Sequence, residues 1–218
     1  MKIEHTHESA WWDEGKRYVI GLDEAGRGPI AGPLVVAGVC FPPHYAHEEI
    51  YDSKKLSEKT RERLYDEILA QAIETHIVIV EPQIIDEKNI YRATQEAMQQ
   101  IVDRFAHKDG VLSDAMPLPA CTLPVEPLVK GDMKSVSIAA ASILAKVTRD
   151  RIMKQYDEHI RNMVCRHKGY DRGASEALHE YGVLPIHRRS YGPVRERSCR
   201  IWSCRLTISR CGFFALKE

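Results

Sequence analysis

The acidic residues Asp23 and Glu24 stand side by side at the end of an apolar run (Tyr18, Val19, Ile20), and Gly26-Arg27-Gly28 follows directly. Two adjacent carboxylates at the end of a buried strand are costly unless a cation neutralises them. Hard divalent ions such as Mg²⁺ or Mn²⁺ favour oxygen ligands, so a metal site is the first chemistry this pair predicts. The glycines leave backbone N–H groups open to close approach, and Arg27 offers a planar donor fork for phosphate or sugar. Two further acids can join them: Asp114 closes the apolar stretch 110–114, and Asp132 ends Val129-Lys130-Gly131-Asp132. Ligands of α/β sheets gather beyond the carboxyl ends of strands, so Asp23, Glu24, Asp114 and Asp132 are expected to converge from three segments. The geometry carries one tension. Neighbouring strand residues point to opposite faces, so Asp23 and Glu24 share a site only if the strand ends or kinks near Gly26. Such a cluster suits two-metal phosphoryl transfer, with cations roughly 3.5–4 Å apart.

Basic groups lie near these acids in sequence. Lys54 and Lys55 follow Asp52-Ser53, Lys146, Arg149 and Arg151 share a helical stretch, and His187-Arg188-Arg189 follows Pro185. Residues of this kind hold a phosphate backbone without reading its bases. Asp150, between Arg149 and Arg151, reads as an ion-pair partner. Tyr170 is a residue that can stack on a sugar or base. Other chemistries find little support. The cysteines (Cys40, Cys121, Cys165, Cys199, Cys204, Cys211) include no CxxC pair, and His5 and His7 read as a solvated tail. The stretch from Gly26 to Gly32 lacks both GxGxxG spacing and the Gly-Lys-Ser/Thr of a P-loop.

Hydrophobic periodicity supplies the elements that must position these groups. Strands are predicted over 18–23, 34–41, 76–81 and 110–114. Helices are predicted over 57–74, with Leu64, Ile68, Leu69 and Ala72 on one side and Ser57 as N-cap, and over 86–107, with Asp86 as cap. In the latter, Ile90, Ala93, Ala97, Ile101 and Phe105 recur at helical spacing. A third, over 135–156, is rich in small residues, with Ile138, Ala141, Ala145 and Ile152 inward. The four prolines of 117–127 read as an extended loop, and 1–16 as a loose lead-in or short helix. The pattern predicts an α/β domain with a mixed sheet. At 218 residues, 44% hydrophobic and 28% charged, the chain fits one domain with a substantial core. Its formal net charge of zero gives no bulk case for nucleic-acid binding, so such a surface must come from local clustering. No run approaches the roughly 18 apolar residues of a membrane span. A cytoplasmic monomer with free cysteines and no membrane association is expected.

Taken together, the segments resemble bacterial ribonuclease HII. The resemblance is carried by Gly21 through Pro33 (GLDEAGRGPIAGP), Asp52 through Ser57 (DSKKLS), Asp114-Ala115-Met116, and Val129 through Arg151. His167 through Tyr170 (HKGY) and Gly182 through Val194 (GVLPIHRRSYGPV) complete it. It implies an RNase H-like fold over 17–197, a mixed central sheet flanked by helices with a C-terminal helical extension, after a lead-in over 1–16. It also implies an endonuclease dependent on Mn²⁺ or Mg²⁺. Its substrates would be RNA–DNA hybrids and duplex DNA carrying single ribonucleotides, cut on the 5′ side to leave a 3′-hydroxyl and a 5′-phosphate. By motif position the resemblance makes Asp23, Glu24, Asp114 and Asp132 the metal-binding catalytic acids. Gly26, Arg27 and Gly28 match the element that reads the 2′-hydroxyl, and Tyr170 the ring that packs on the sugar at the junction. Ser53, Lys54, Ser142, Lys146 and Arg149 match phosphate or scaffold positions. An Arg within the Gly-Arg-Gly favours this family over the related ribonuclease HIII type.

The chain departs from the family pattern over 158–175 and again from Ser198 to the end, an atypical tail over 198–218. Family-like text resumes cleanly at 167 and 176, so local reading-frame shifts are the expected origin, a point that rereading the underlying DNA tests. These departures leave an alternative open, a hybrid-binding protein with impaired cleavage. A different nuclease or transposase-like phosphoryl transferase on a similar fold is the other enzyme reading, and an all-DNA duplex discriminates it.

Overall fold

Strands β1 (Val19–Ala25), β2 (Leu34–Cys40), β3 (Glu74–Val80), β4 (Gly110–Asp114) and β5 (Val125–Leu128) form one sheet, in the order β3-β2-β1-β4-β5. This is a computed structural model, and it describes residues 6–51, 53–159, 178 and 182–197. Strand β1 runs antiparallel to β2, from Ile20↔Cys40 to Ala25↔Val35, and parallel to β4, from Val19↔Gly110 to Leu22↔Ser113. The sheet is therefore mixed, as the element pattern predicts. Strand β5 corrects the loop expected over 117–127. Its Pro127 pairs with Ser113 on the outermost strand, the one place in a sheet where a missing N–H costs no ladder bond on the far side.

Helices cover both faces: α1 (Thr6–Asp13), α2 (Glu58–Gln71), α3 (Pro82–Lys88), α4 (Ile90–Arg104) and α5 (Val136–His159). On one face Val35, Ala37 and Val39 pack against Ala140, Ile143 and Leu144 of α5 and Leu64 and Ile68 of α2. On the other, Ile20, Leu22 and Val36 meet Ala97, Met98 and Ile101 of α4. The small residues early in α5 allow a close approach to β1: a Cβ on Gly21 would lie 2.3 Å from the Ser137 carbonyl carbon. Ser57 caps α2 as expected, its hydroxyl accepting from the Thr60 N–H. Leu69, expected on the inner side, is 44% exposed because it sits one position round from Ile68.

The helix predicted over 86–107 is two helices. Asn89, at φ +63°, breaks it and caps α4 by accepting from the Arg92 N–H. Asp86 is no cap; its carboxylate accepts from the Arg189 and Ser190 N–H groups and the Ser190 hydroxyl. The amino-terminal lead-in is likewise not loose. Glu8 is fully buried and accepts from Ser135 Oγ at 2.6 Å and the Ser137 N–H at 2.9 Å, placing a carboxylate at the positive end of α5. Trp12 is buried among Val19, Leu112, Leu128 and Ile138, and His7 is bonded to Glu126 rather than solvated. Cys40 and Cys121 are free, and burial pushes the Cys40 thiol up to about 12. Among the described residues no helix is long and apolar enough to cross a membrane.

Candidate active site

Strands β1 and β4 run parallel as neighbours, so their carboxyl ends meet, and each carries an acid at that end. Beyond the pair Leu22↔Ser113, the next residue on each strand is Asp23 and Asp114. Alternation sends Ile20 and Leu22 to the α4 face and Asp23 to the α5 face. There Asp23 is only 5% exposed, bonded by the Ser142 hydroxyl of α5 and by the Glu24 N–H at 2.7 Å. Ser142 in turn is 2.9 Å from the Ser53 hydroxyl, both buried. Asp114 accepts from the Gly131 N–H at 2.9 Å, which ties it to the 3-10 turn Gly131–Met133. That turn carries Asp132, half-buried beside it.

The expected tension at Glu24 is met by the strand's end: β1 stops at Ala25, one residue before Gly26, and Asp114 acts electrostatically on both Asp23 and Glu24. Glu24 sits 3.4 Å from an Arg27 guanidinium nitrogen, and its Oε2 is buried with no hydrogen-bond partner among the described residues. Burial first, then the charges of Glu24 and Asp114, raise Asp23 well above the usual carboxylate range, against the Ser142 hydrogen bond. Glu24 is raised too, chiefly by burial, with the Arg27 charge opposing and Asp114 reinforcing; Lys54 adds a smaller opposing pull. Asp132 is not among the charges acting most strongly on either acid. Among the described residues no group of three or more His, Cys, Asp or Glu side chains is placed to hold a metal ion as the side chains stand. Still, a desolvated all-carboxylate set with one orphaned oxygen is a donor set that suits a hard divalent cation.

The loop 26–33 between β1 and β2 is held by a different chemistry. Arg149 of α5 donates to the Ala31 and Pro33 carbonyls at 2.9 and 3.0 Å. Gly26 has φ +101°, and a Cβ there would lie 2.3 Å from Arg149 Nε. Arg149 is thus a scaffold residue, with its guanidinium engaged by the loop and turned away from solvent. Burial, then the neighbouring Arg188 guanidinium, pulls its pKa down to about 10. Arg188 is a correction to the phosphate role expected of the His187-Arg188-Arg189 run. Fully buried, it reaches 156 residues back along the chain to the Gly32 carbonyl. Nothing in its local sequence distinguishes it from a surface arginine; only the fold does. Lys146 is bonded to Asp150 at 2.6 Å, the ion-pair role expected of that acid. Lys54 is exposed near Glu24. Tyr170, with Asp52 and the cysteines at 165, 199, 204 and 211, lies outside the described residues.

Comparison with known proteins bears on this arrangement. The family described as Ribonuclease HII matches residues 20–194, a span that runs through the departing stretch 158–175. The chain is 47% identical over 193 residues to a Ribonuclease HII of Bacillus cereus, covering 87% of this chain and 75% of that one. Among solved structures it is similar to the ribonuclease H2 of Pyrococcus horikoshii OT3, with a TM-score of 0.73 and 26% identity over 85% of this chain and 99% of that one. It is also similar to the RNase HII in the PCNA:RNase HII complex from Archaeoglobus fulgidus, with a TM-score of 0.68 and 30% identity over 81% and 96% of the two chains.

Proposed function

Since the chain belongs to the ribonuclease HII family and is a ribonuclease H endonuclease, we propose that Asp23, Glu24, Asp114 and Asp132 are its metal-holding acids. We propose further that it cuts RNA in RNA–DNA hybrids and on the 5′ side of single ribonucleotides in duplex DNA. The observation that supports this reading most is the pair of raised acids Asp23 and Glu24, both pushed up by the Asp114 charge, at the meeting ends of two parallel strands. Buried acids held in this way favour the protonated form, whereas a cation makes Asp23 and Glu24 tolerable as carboxylates beside Asp114.

Mg²⁺ or Mn²⁺, when bound, supplies neutralising charge and Lewis-acid activation of water at the scissile phosphate. The residues of the chain do the rest. Ser142, braced by Ser53, turns the Asp23 carboxylate. The Gly131 N–H fixes Asp114 and with it the turn bearing Asp132. Arg27 restrains Glu24 at one oxygen and leaves the other free. Gly26, Arg27 and Gly28 stand next to the acids in the chain, so a ribose whose 2′-hydroxyl met this loop would bring its 5′ phosphate to them. Lys54 and Tyr170 add phosphate and sugar contacts in this reading. The products are a 3′-hydroxyl and a 5′-phosphate. No observation among the described residues favours the impaired, binding-only alternative.

The test is cleavage, with Mn²⁺ or Mg²⁺, of a duplex carrying one ribonucleotide, beside an RNA–DNA hybrid and an all-DNA control. Cutting of the first two and not the third is expected. Cleavage of the all-DNA duplex at a similar rate would overturn the ribose-dependent reading.

A further inference from the structure

Arg188 is the largest fully buried side chain of the described residues, and all five of its N–H donors are engaged. Nε donates to the Gly32 carbonyl at 3.0 Å, and Nη2 donates to the Gly32 and Gly26 carbonyls at 2.9 and 2.6 Å. Nη1 donates to the Arg27 carbonyl at 3.1 Å and to the Tyr191 hydroxyl at 2.9 Å. That hydroxyl donates to the Arg27 carbonyl as well, at 2.7 Å. The segment carrying both residues is anchored independently of the loop's own sequence. The Arg188 N–H bonds the Ile30 carbonyl, the Gly32 N–H bonds the Ile186 carbonyl, and Asp86 holds the backbone of residues 189 and 190.

The orientation of two peptide planes follows. No peptide bond among the described residues is cis, and in a planar trans peptide the N–H points opposite to the C=O. With the Gly26 and Arg27 carbonyls turned in to Arg188, the N–H groups of Arg27 and Gly28 turn outward. Around Gly28 there is room: a Cβ there would meet nothing within 4 Å. We propose that Arg188, seconded by Tyr191, is a positioning residue for ribose recognition, fixing the backbone of residues 26–28 from a segment more than 150 residues away. This rests on the reading of residues 26–28 as the ribose-contacting element and deepens it. Discrimination between ribose and deoxyribose then belongs jointly to the loop and to the carboxyl-terminal strap.

The experiment measures KM and kcat on a duplex with one ribonucleotide, and Ki for the all-deoxy version of that duplex as competitor. The ratio Ki/KM reports ribose discrimination. Arg188→Lys, with three donors on a flexible stem in place of five in a planar fork, is expected to lower that ratio about tenfold, mainly through KM. Tyr191→Phe, which keeps the ring and removes one donor, is expected to lower it about two- to threefold. A merely structural role would reduce the folded, active fraction and so kcat, leaving the ratio at its wild-type value. A folded Arg188→Lys protein with an unchanged ratio overturns the proposal. Should that variant fail to fold, an unchanged ratio in Tyr191→Phe overturns it instead. A wild-type ratio near one is a different failure: it sinks the ribose-reading role of residues 26–28 and this inference with it.

Discussion

The acids at the ends of β1 and β4 and the loop 26–33 that follows them are neighbours in the chain, yet they are electrostatic opposites. In the first region, Asp23 and Glu24 are buried and held above the usual carboxylate range with the Asp114 charge beside them, and one Glu24 oxygen is left without a partner among the described residues. In the second, two guanidiniums are buried side by side, but backbone carbonyls take up their donors. A buried charge is tolerable when its hydrogen bonds are complete and costly when they are not. The loop is therefore finished by the chain itself, and serves by holding a shape. The acidic end is unfinished, and the proposed cation is what would complete it.

The sharpest way to break this comparison is to alter the unfinished side. Asp23→Asn keeps the shape and the Ser142 contact but removes a ligand charge, and should lower kcat on a one-ribonucleotide duplex by on the order of 10³-fold or more. Undiminished turnover would remove Asp23 from the site. The finished side should respond in stability instead. Gly26→Ala places a Cβ 2.3 Å from Arg149 Nε at a backbone φ of +101°. Strain and overpacking together should cost about 3 kcal/mol, read as a lower denaturation midpoint. A midpoint within error of wild type would mean that the arginine clamp is soft.

How much of this contrast was legible in the sequence divides along the same line. The acids could be read because local order exposes them: an apolar run, two carboxylates, then glycines. The helix over 58–71 and the buried positions 138, 141 and 145 were legible for the same reason, since their periodicity is local. The arginine clamp was not, because its partners lie 116 to 162 residues apart and arginine beside Pro185 and His187 carries the composition of a surface. Glu8 was hidden likewise, as a charge in a polar lead-in whose partner is the far-off start of α5. Strand β5 was masked by Pro127, which an edge strand tolerates, and the break at Asn89 by the polar run Asp86 to Asn89, which carries no apolar periodicity to mark it.

A smaller effect concerns the metal-free protein and runs opposite to the loss of activity. Asp23 and Glu24 are raised in the folded state, so between their unfolded and folded pKa values the native protein holds more protons than the unfolded chain. Stability then falls as pH rises through that window, being fully present below the unfolded value and lost above the folded one. With chelator present, Asp23→Asn should therefore melt at a higher temperature than wild type at neutral pH, and the gap should shrink as pH falls below the unfolded-chain value of about 3.9, where the wild-type acid is protonated in both states. A gap that is constant with pH would assign the change to packing rather than to charge.

The smallest expected effect separates space from strain within the loop. Gly28, unlike Gly26, does not lie in the positive-φ region, and a Cβ added there has no neighbour within 4 Å. Gly28→Ala should leave the denaturation midpoint within about 0.5 kcal/mol of wild type, as a substitution in open space does. If the open side of Gly28 is where a ribose approaches, the methyl group occupies substrate space and not protein space. KM on the one-ribonucleotide duplex should then rise while the fold is unmoved, and Ki for the all-deoxy duplex should rise less. Equal losses for both duplexes would show that this side of the loop meets the phosphate backbone and leaves the sugar to other residues.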